Sequence, residues 1–139
     1  MTPEQIEIVQ QTFAEVASLG ERATLLFYER LFEIAPEVRP LFADDLTEQS
    51  RKLFATLRVA VIGLRDSDEI MGVLQQLGLL HAHEHRVRPE HYAPVGEALL
   101  WTLEQALGPD FTAEAREAWA ETYQLIATTM IGASADVEA

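Results

Sequence analysis

Apolar residues recur along this chain at helical spacing almost throughout. Ile6, Val9, Phe13 and Val16 fall at i, i+3, i+7 and i+10, one face of a helix. Thr2, Pro3 and Glu4 supply a cap, a first-turn proline and a first-turn acid, and Gly20 can stop the helix. A second helix is predicted from about Glu21 to Ile34, with Leu25, Tyr28, Leu31 and Phe32 on one side. Pro36 opens a short helical turn ending near Phe42, and Ala43 to Leu46 reads as a loop. Thr47 to Leu64 carries Gln49, Leu53, Thr56, Ala60 and Gly63 or Leu64 on one face. Asp66 and Ser67 cap a further helix with Ile70, Leu74, Leu77 and His81 as its inward stripe. Arg86 to Pro89 connects it to a long helix from Pro89 and Glu90 to Leu107, with Pro94 tolerable only in the first turn or at a kink. Gly108-Pro109 is a stop, Thr112 caps the last helix, and Trp119, Tyr123, Ile126 and Met130 form its stripe. The small, acidic tail from Gly132 to Ala139 is expected to fray. No alternating strand and no repeat breaks this pattern. The fold class is all-α, with about seven helices.

Composition narrows the chemistry. A length of 139 residues fits a single domain, 1–139, that buries roughly 68–70% of its unfolded surface. The absence of cysteine excludes disulfides, thiolate metal sites, iron–sulfur ligation, a cysteine nucleophile and any thioether-linked prosthetic group. A net charge of −13 argues against nucleic acid or an anionic membrane surface as the main partner. No apolar run reaches the roughly 18–20 residues that span a bilayer. The start, MTPEQIEIVQQ, has neither a basic region nor an apolar stretch, so a cytoplasmic location is expected.

A few polar residues sit where the helical pattern asks for apolar ones. Tyr28 lies on a buried-looking face, Gln49 begins the face continued by Leu53, and His81 follows Leu77 by one turn. A buried hydroxyl or amide needs partners, and each alone reads as a satisfied core or rim group. The run His81-Ala-His83-Glu-His85 suggests a metal site, but residues i and i+2 diverge by about 200° on a helix, so His81 and His83 cannot share one ion there. No phosphate loop, His-Glu-x-x-His or nucleophile elbow is present, so hydrolase and kinase readings have no support.

Taken in order, several segments resemble the globin family, in particular the bacterial single-domain type similar to the haem domain of flavohaemoglobins and to neuroglobin-like proteins. They are Phe27-Tyr28-Glu29-Arg30-Leu31-Phe32, Pro36 to Phe42, Gln49 with Leu53-Phe54, and Leu77-Gly78-Leu79-Leu80-His81. Val95 to Leu100, Leu107 to Thr112 and Ala118-Trp119 continue the series, which covers essentially the whole chain. The resemblance implies a globin fold around haem b. It implies Phe42 packed flat on the haem, His81 as proximal iron ligand, Tyr28 and Gln49 as the distal pair, and Leu53 as the apolar wall beside them. Tyr92 matches a tyrosine that helps to orient the proximal imidazole. Six of the ten basic residues, Arg51, Lys52, Arg58, Arg65, Arg86 and Arg88, fall on the two segments that border a globin haem cleft; Lys52 and Arg86 or Arg88 are candidate propionate partners.

Two departures from the family pattern stand out. The stretch from His81 to Pro89 is one residue longer, which leaves His83 as an alternative ligand and bears on the contact of Tyr92. The glutamate that flavohaemoglobins carry in the last helix is Ser134 here. The resemblance implies a protein that binds O2, NO or CO, as a monomer or homodimer. It also implies an enzyme reading, conversion of NO to nitrate with electrons from a separate reductase. A globin-like sensor or interaction module, with or without haem, is the third reading.

Overall fold

The structure, a computed structural model, describes residues 1–42, 44–65, 71–78 and 89–138, without the side chains at 89 and 133–138. Helix α1 (Pro3–Ala17) starts in a reciprocal cap: the Gln5 amide donates to Thr2 Oγ1 at 3.1 Å and the Thr2 amide donates to Gln5 Oε1 at 2.9 Å. Threonine with glutamine three residues on satisfies two otherwise unpaired donors at once. Gly20, at φ +60°, breaks the chain direction before α2 (Glu21–Ile34). A 3-10 turn over Pro36–Leu41 follows, then α3 (Thr47–Ile62), a helical stretch α4 (71–78), α5 (Tyr92–Leu107) and α6 (Ala113–Glu138). Six α-helical stretches and the Pro36–Leu41 turn make the expected seven among the described residues, which contain no strand.

Most boundaries fall where the sequence places them. Thr112 accepts from the Ala115 amide at 3.1 Å and caps α6. Pro94 lies in the first turn of α5, where its missing N–H costs no helical bond. Two expectations are corrected. Leu25 is 60% exposed, because α2 turns Ala23, Thr24, Phe27, Tyr28 and Leu31 inward against α5 and the Pro36–Leu41 turn. The tail beyond Gly132 is helical: α6 runs on to Glu138, with no proline to stop it.

The helices pack as α2 on α5, α1 on α6 and α3, and α5 on α6. The larger apolar cluster gathers Val9, Phe13, Phe27, Tyr28, Leu31, Val61, Leu103 and Trp119. At its centre Trp119 Nε1 donates to Thr12 Oγ1 at 2.8 Å, and Thr12 donates on to the Ile8 carbonyl at 2.6 Å, tying α6 to α1. A separate, smaller cluster joins Ala60, Leu74 and Met130, with Leu77, Tyr92 and Ile126 against it. Here Gly78 matters: a Cβ on it would run into the Met130 carbonyl oxygen, so α4 and α6 meet backbone to backbone. No helix among the described residues is long and apolar enough to cross a membrane.

Candidate functional site

Four aromatic rings from α2 and the turn after it converge on one spot. Tyr28 meets Phe27 edge-on at 5.2 Å, stacks on Phe32 at 6.0 Å with 23° between planes, and meets Phe42 edge-on at 5.6 Å. Phe32 and Phe42 are themselves 5.4 Å apart at 69°. Helical spacing sets Tyr28 and Phe32 one turn apart on the same face. The 3-10 turn then brings Phe42 back over both.

The Tyr28 ring is buried, at 4% exposure. No fully buried side-chain oxygen or nitrogen lacks a partner among the described residues, and the Tyr28 hydroxyl finds none of its own there. Its oxygen therefore opens onto space rather than onto packed protein. Phe32, Phe42 and Leu53 are only half-buried and pack against the same apolar cluster, and Gln49 is half-buried as well. These rings form a half-buried apolar wall with one phenol in it, not a fully closed core.

The second cluster is placed apart from the first. Tyr92, the first residue of α5, is half-buried and packs with Leu77 of α4 and Ile126 of α6. Its backbone carbonyl accepts the Tyr123 hydroxyl at 2.6 Å. Gly96 makes room for that ring, since a Cβ there would stand 2.7 Å from a Tyr123 ring carbon. An apolar cleft of about 200 Å³ runs between α3 and α4, lined by Ala55, Thr56, Val59, Ala60, Val73, Leu74 and Leu77. Lys52 is exposed on α3, beside Arg51 and with Arg58 and Arg65 farther along, all solvent-facing. His81, His83, His85, Arg86 and Arg88 lie outside the described residues, as does the side chain of Ser134. The structure thus brings Tyr28, Phe42 and Leu53 into one cluster, and sets Tyr92 in the other.

The sequence profile of the globin family matches residues 25–130. The chain is a globin. This globin is similar over 140 residues to a flavohemoprotein of Bacillus subtilis, at 34% identity, covering 95% of this chain and 34% of that one. An uncharacterized globin-like protein of Aquifex aeolicus is 30% identical over 94% of this chain and 92% of its own length. The structure of a bacterial globin from Campylobacter jejuni matches with a TM-score of 0.86 over 99% of both chains, at 26% identity. The globin spans about a third of the length of the flavohemoproteins it matches. Membership of this family implies haem binding. The apolar, half-buried wall and the phenol opening into it fit such a flat, largely apolar group.

Sequence reasoning missed Phe32, Gly96 and Gly78 as parts of the site. Phe32 reads as plain core, and a glycine within a helix does not reveal which neighbour crosses it.

Desolvation favours the neutral form of each tyrosine of this globin. The Tyr28 phenol is pushed up to about 12 by desolvation. Tyr92 and Tyr123 are raised as well, both by desolvation, and Tyr123 further by its charge interaction with Tyr92. These three are the only tyrosines in the chain. Each ionises more easily in the unfolded chain, near pH 10. The contribution of Tyr28 is therefore complete below about pH 10 and is lost as the pH rises through about 12; those of Tyr92 and Tyr123 are likewise lost above pH 10. Phenolate absorbance of the native protein should rise later than that of free tyrosine, the Tyr28 part of it only near pH 12 and together with unfolding. Ionisation of all three tyrosines centred on pH 10, with the helical signal intact, would contradict the burial of Tyr28.

Proposed function

We propose that this globin is a cytoplasmic haem b protein that binds O2, and also NO or CO, at an iron held by His81. The reading further includes NO dioxygenation when a separate reductase supplies electrons. The observation that carries it is the Tyr28 hydroxyl, set on a buried aromatic ring and opening without a partner among the described residues.

When bound, haem would be held by His81 and would supply a redox-active iron able to take up a diatomic ligand. The chain's own groups do the rest. Tyr28 stays protonated far above neutral pH, so it donates a hydrogen bond to a ligand that carries partial negative charge. Gln49 donates a second bond or positions a water. Phe42 and Leu53 cover apolar surface and exclude solvent. Lys52 and Arg86 or Arg88 would pair with the propionates, and Tyr92 would orient the imidazole of His81. An imidazole ligand without a carboxylate behind it, as Ser134 implies, gives less push toward peroxidase-type chemistry. The flavohemoprotein relatives support the haem-binding part of the reading.

The Soret band of the purified protein tests the proposal. It is expected to be present, to vanish in His81→Ala and to survive in His83→Ala. The converse pattern moves the ligand to His83, and a colourless protein that ignores added haemin overturns the reading in favour of a haem-free sensor or interaction module. Rapid mixing of the O2 complex with NO should yield nitrate; none would remove the dioxygenase part.

A further inference from the structure

The turn that presents Phe42 is held by one side chain that the function has not yet used. Arg39 lies in the Pro36–Leu41 turn and is half-buried. Its guanidinium carbon sits 4.9 Å from the centroid of the Phe32 ring. Nη1 donates to the Phe42 carbonyl and Nη2 to the Asp44 carbonyl, both at 3.4 Å. The Phe42 amide in turn donates to the Arg39 carbonyl at 3.1 Å. Both polar ends of Phe42 are therefore tied to the same residue, while the face of Phe32 is covered by its charge.

Each 3.4 Å bond is long and weak alone. Their combination is what matters, because a planar fork that meets two carbonyls and a ring at once loses little freedom per contact. Phe32 and Phe42 are the two rings that flank Tyr28 on this side. Asp44 leads into Asp45, whose carboxylate accepts the Thr47 amide at 3.0 Å at the start of α3, two residues before Gln49. A cation anchored at Arg39 thus fixes the rings around Tyr28 and the entry to the helix that carries Gln49.

We infer that Arg39 is a positioning residue for the ligand-binding pocket, clamping Phe32 and the Phe42 and Asp44 carbonyls so that the Tyr28 hydroxyl is held in a single orientation. The inference rests on the proposed distal role of Tyr28. Lysine keeps the charge but cannot reach two carbonyls in one plane, and methionine keeps only the packing.

The test uses the full-length haem-loaded protein with carbon monoxide as probe. In the wild type a single C–O stretching band is expected, and Tyr28→Phe shifts it by removing the donor. Arg39→Met is expected to split or broaden the band toward the Tyr28→Phe position and to speed O2 dissociation roughly three- to tenfold, with Arg39→Lys between it and wild type. The iron–histidine stretch of the ferrous protein should not move, since a general loss of folding would disturb both sides. An unchanged C–O band in both Arg39 variants, with Tyr28→Phe shifted, overturns the clamp alone. A band that Tyr28→Phe leaves in place overturns the distal role of Tyr28, and the clamp with it. If Arg39→Met does not fold, Arg39→Lys carries the decision: a wild-type band there refutes the inference.

Discussion

Truncating Trp119 to alanine lowers the free energy of unfolding by about 3–5 kcal/mol, a large part of the roughly 5–15 kcal/mol that holds a typical domain. The indole is 1% exposed and lies against Phe13, with ring centroids 6.4 Å apart. Its removal leaves a cavity between α1 and α6 and takes the donor from Thr12. Thr12 keeps its own bond to the Ile8 carbonyl, so the lost hydrogen bond adds only about 1 kcal/mol. Trp119→Phe separates the two effects. It retains most of the buried ring and should cost no more than about 2 kcal/mol. Urea unfolding followed by circular dichroism reads both variants. Equal losses in the two would mean that the hydrogen bond dominates, not the cavity.

Gly78→Ala and Gly72→Ala should have opposite signs, although they are the same chemical change six residues apart in α4. At Gly72 a Cβ meets nothing within 4 Å, so alanine gains the ordinary helical preference over glycine, about 0.5–1 kcal/mol. At Gly78 the same atom would overlap the Met130 carbonyl oxygen and stand 2.7 Å from its Cα. Backbone cannot rotate away as a side chain can, so α4 must withdraw from α6, at about 1–3 kcal/mol or more. His81 follows Gly78 by three residues, and a shift of α4 should weaken haem retention as well as folding. Thermal unfolding of the two variants side by side gives the answer. If both alanines stabilise, the close crossing of α4 and α6 is wrong.

The stripe of Val9, Phe13 and Val16 and the caps at Thr2 and Thr112 were legible because period and cap chemistry are local properties. Tyr28 and Gln49 were legible as polar residues on apolar faces, although what they face was not. Leu25 misled for a physical reason: it shares a face with Tyr28 by spacing, but the inward direction of α2 is set by where α5 lies, which no local pattern encodes. The Trp119–Thr12 bond joins residues 107 positions apart, and the roles of Gly78 and Gly96 depend on which backbone or ring crosses them. Arg39 hides for a similar reason. Its partners are main-chain carbonyls, which carry no signature in the sequence.

The residues around Tyr28 have one more consequence. Tyr28, Phe32, Phe42, Gln49 and Leu53 all come from one continuous stretch, 28–53, whereas the Trp119–Thr12 link needs the two ends of the chain to meet. Pro36 and Pro40 pre-set φ at two positions of the intervening turn, which reduces the disorder lost when it forms. Closing a short, stiffened loop costs far less entropy than joining distant segments. The pocket's aromatic wall is therefore a low-contact-order unit, able to assemble before the terminal helices dock, and a ligand that arrives early in folding would find its receiving surface already shaped.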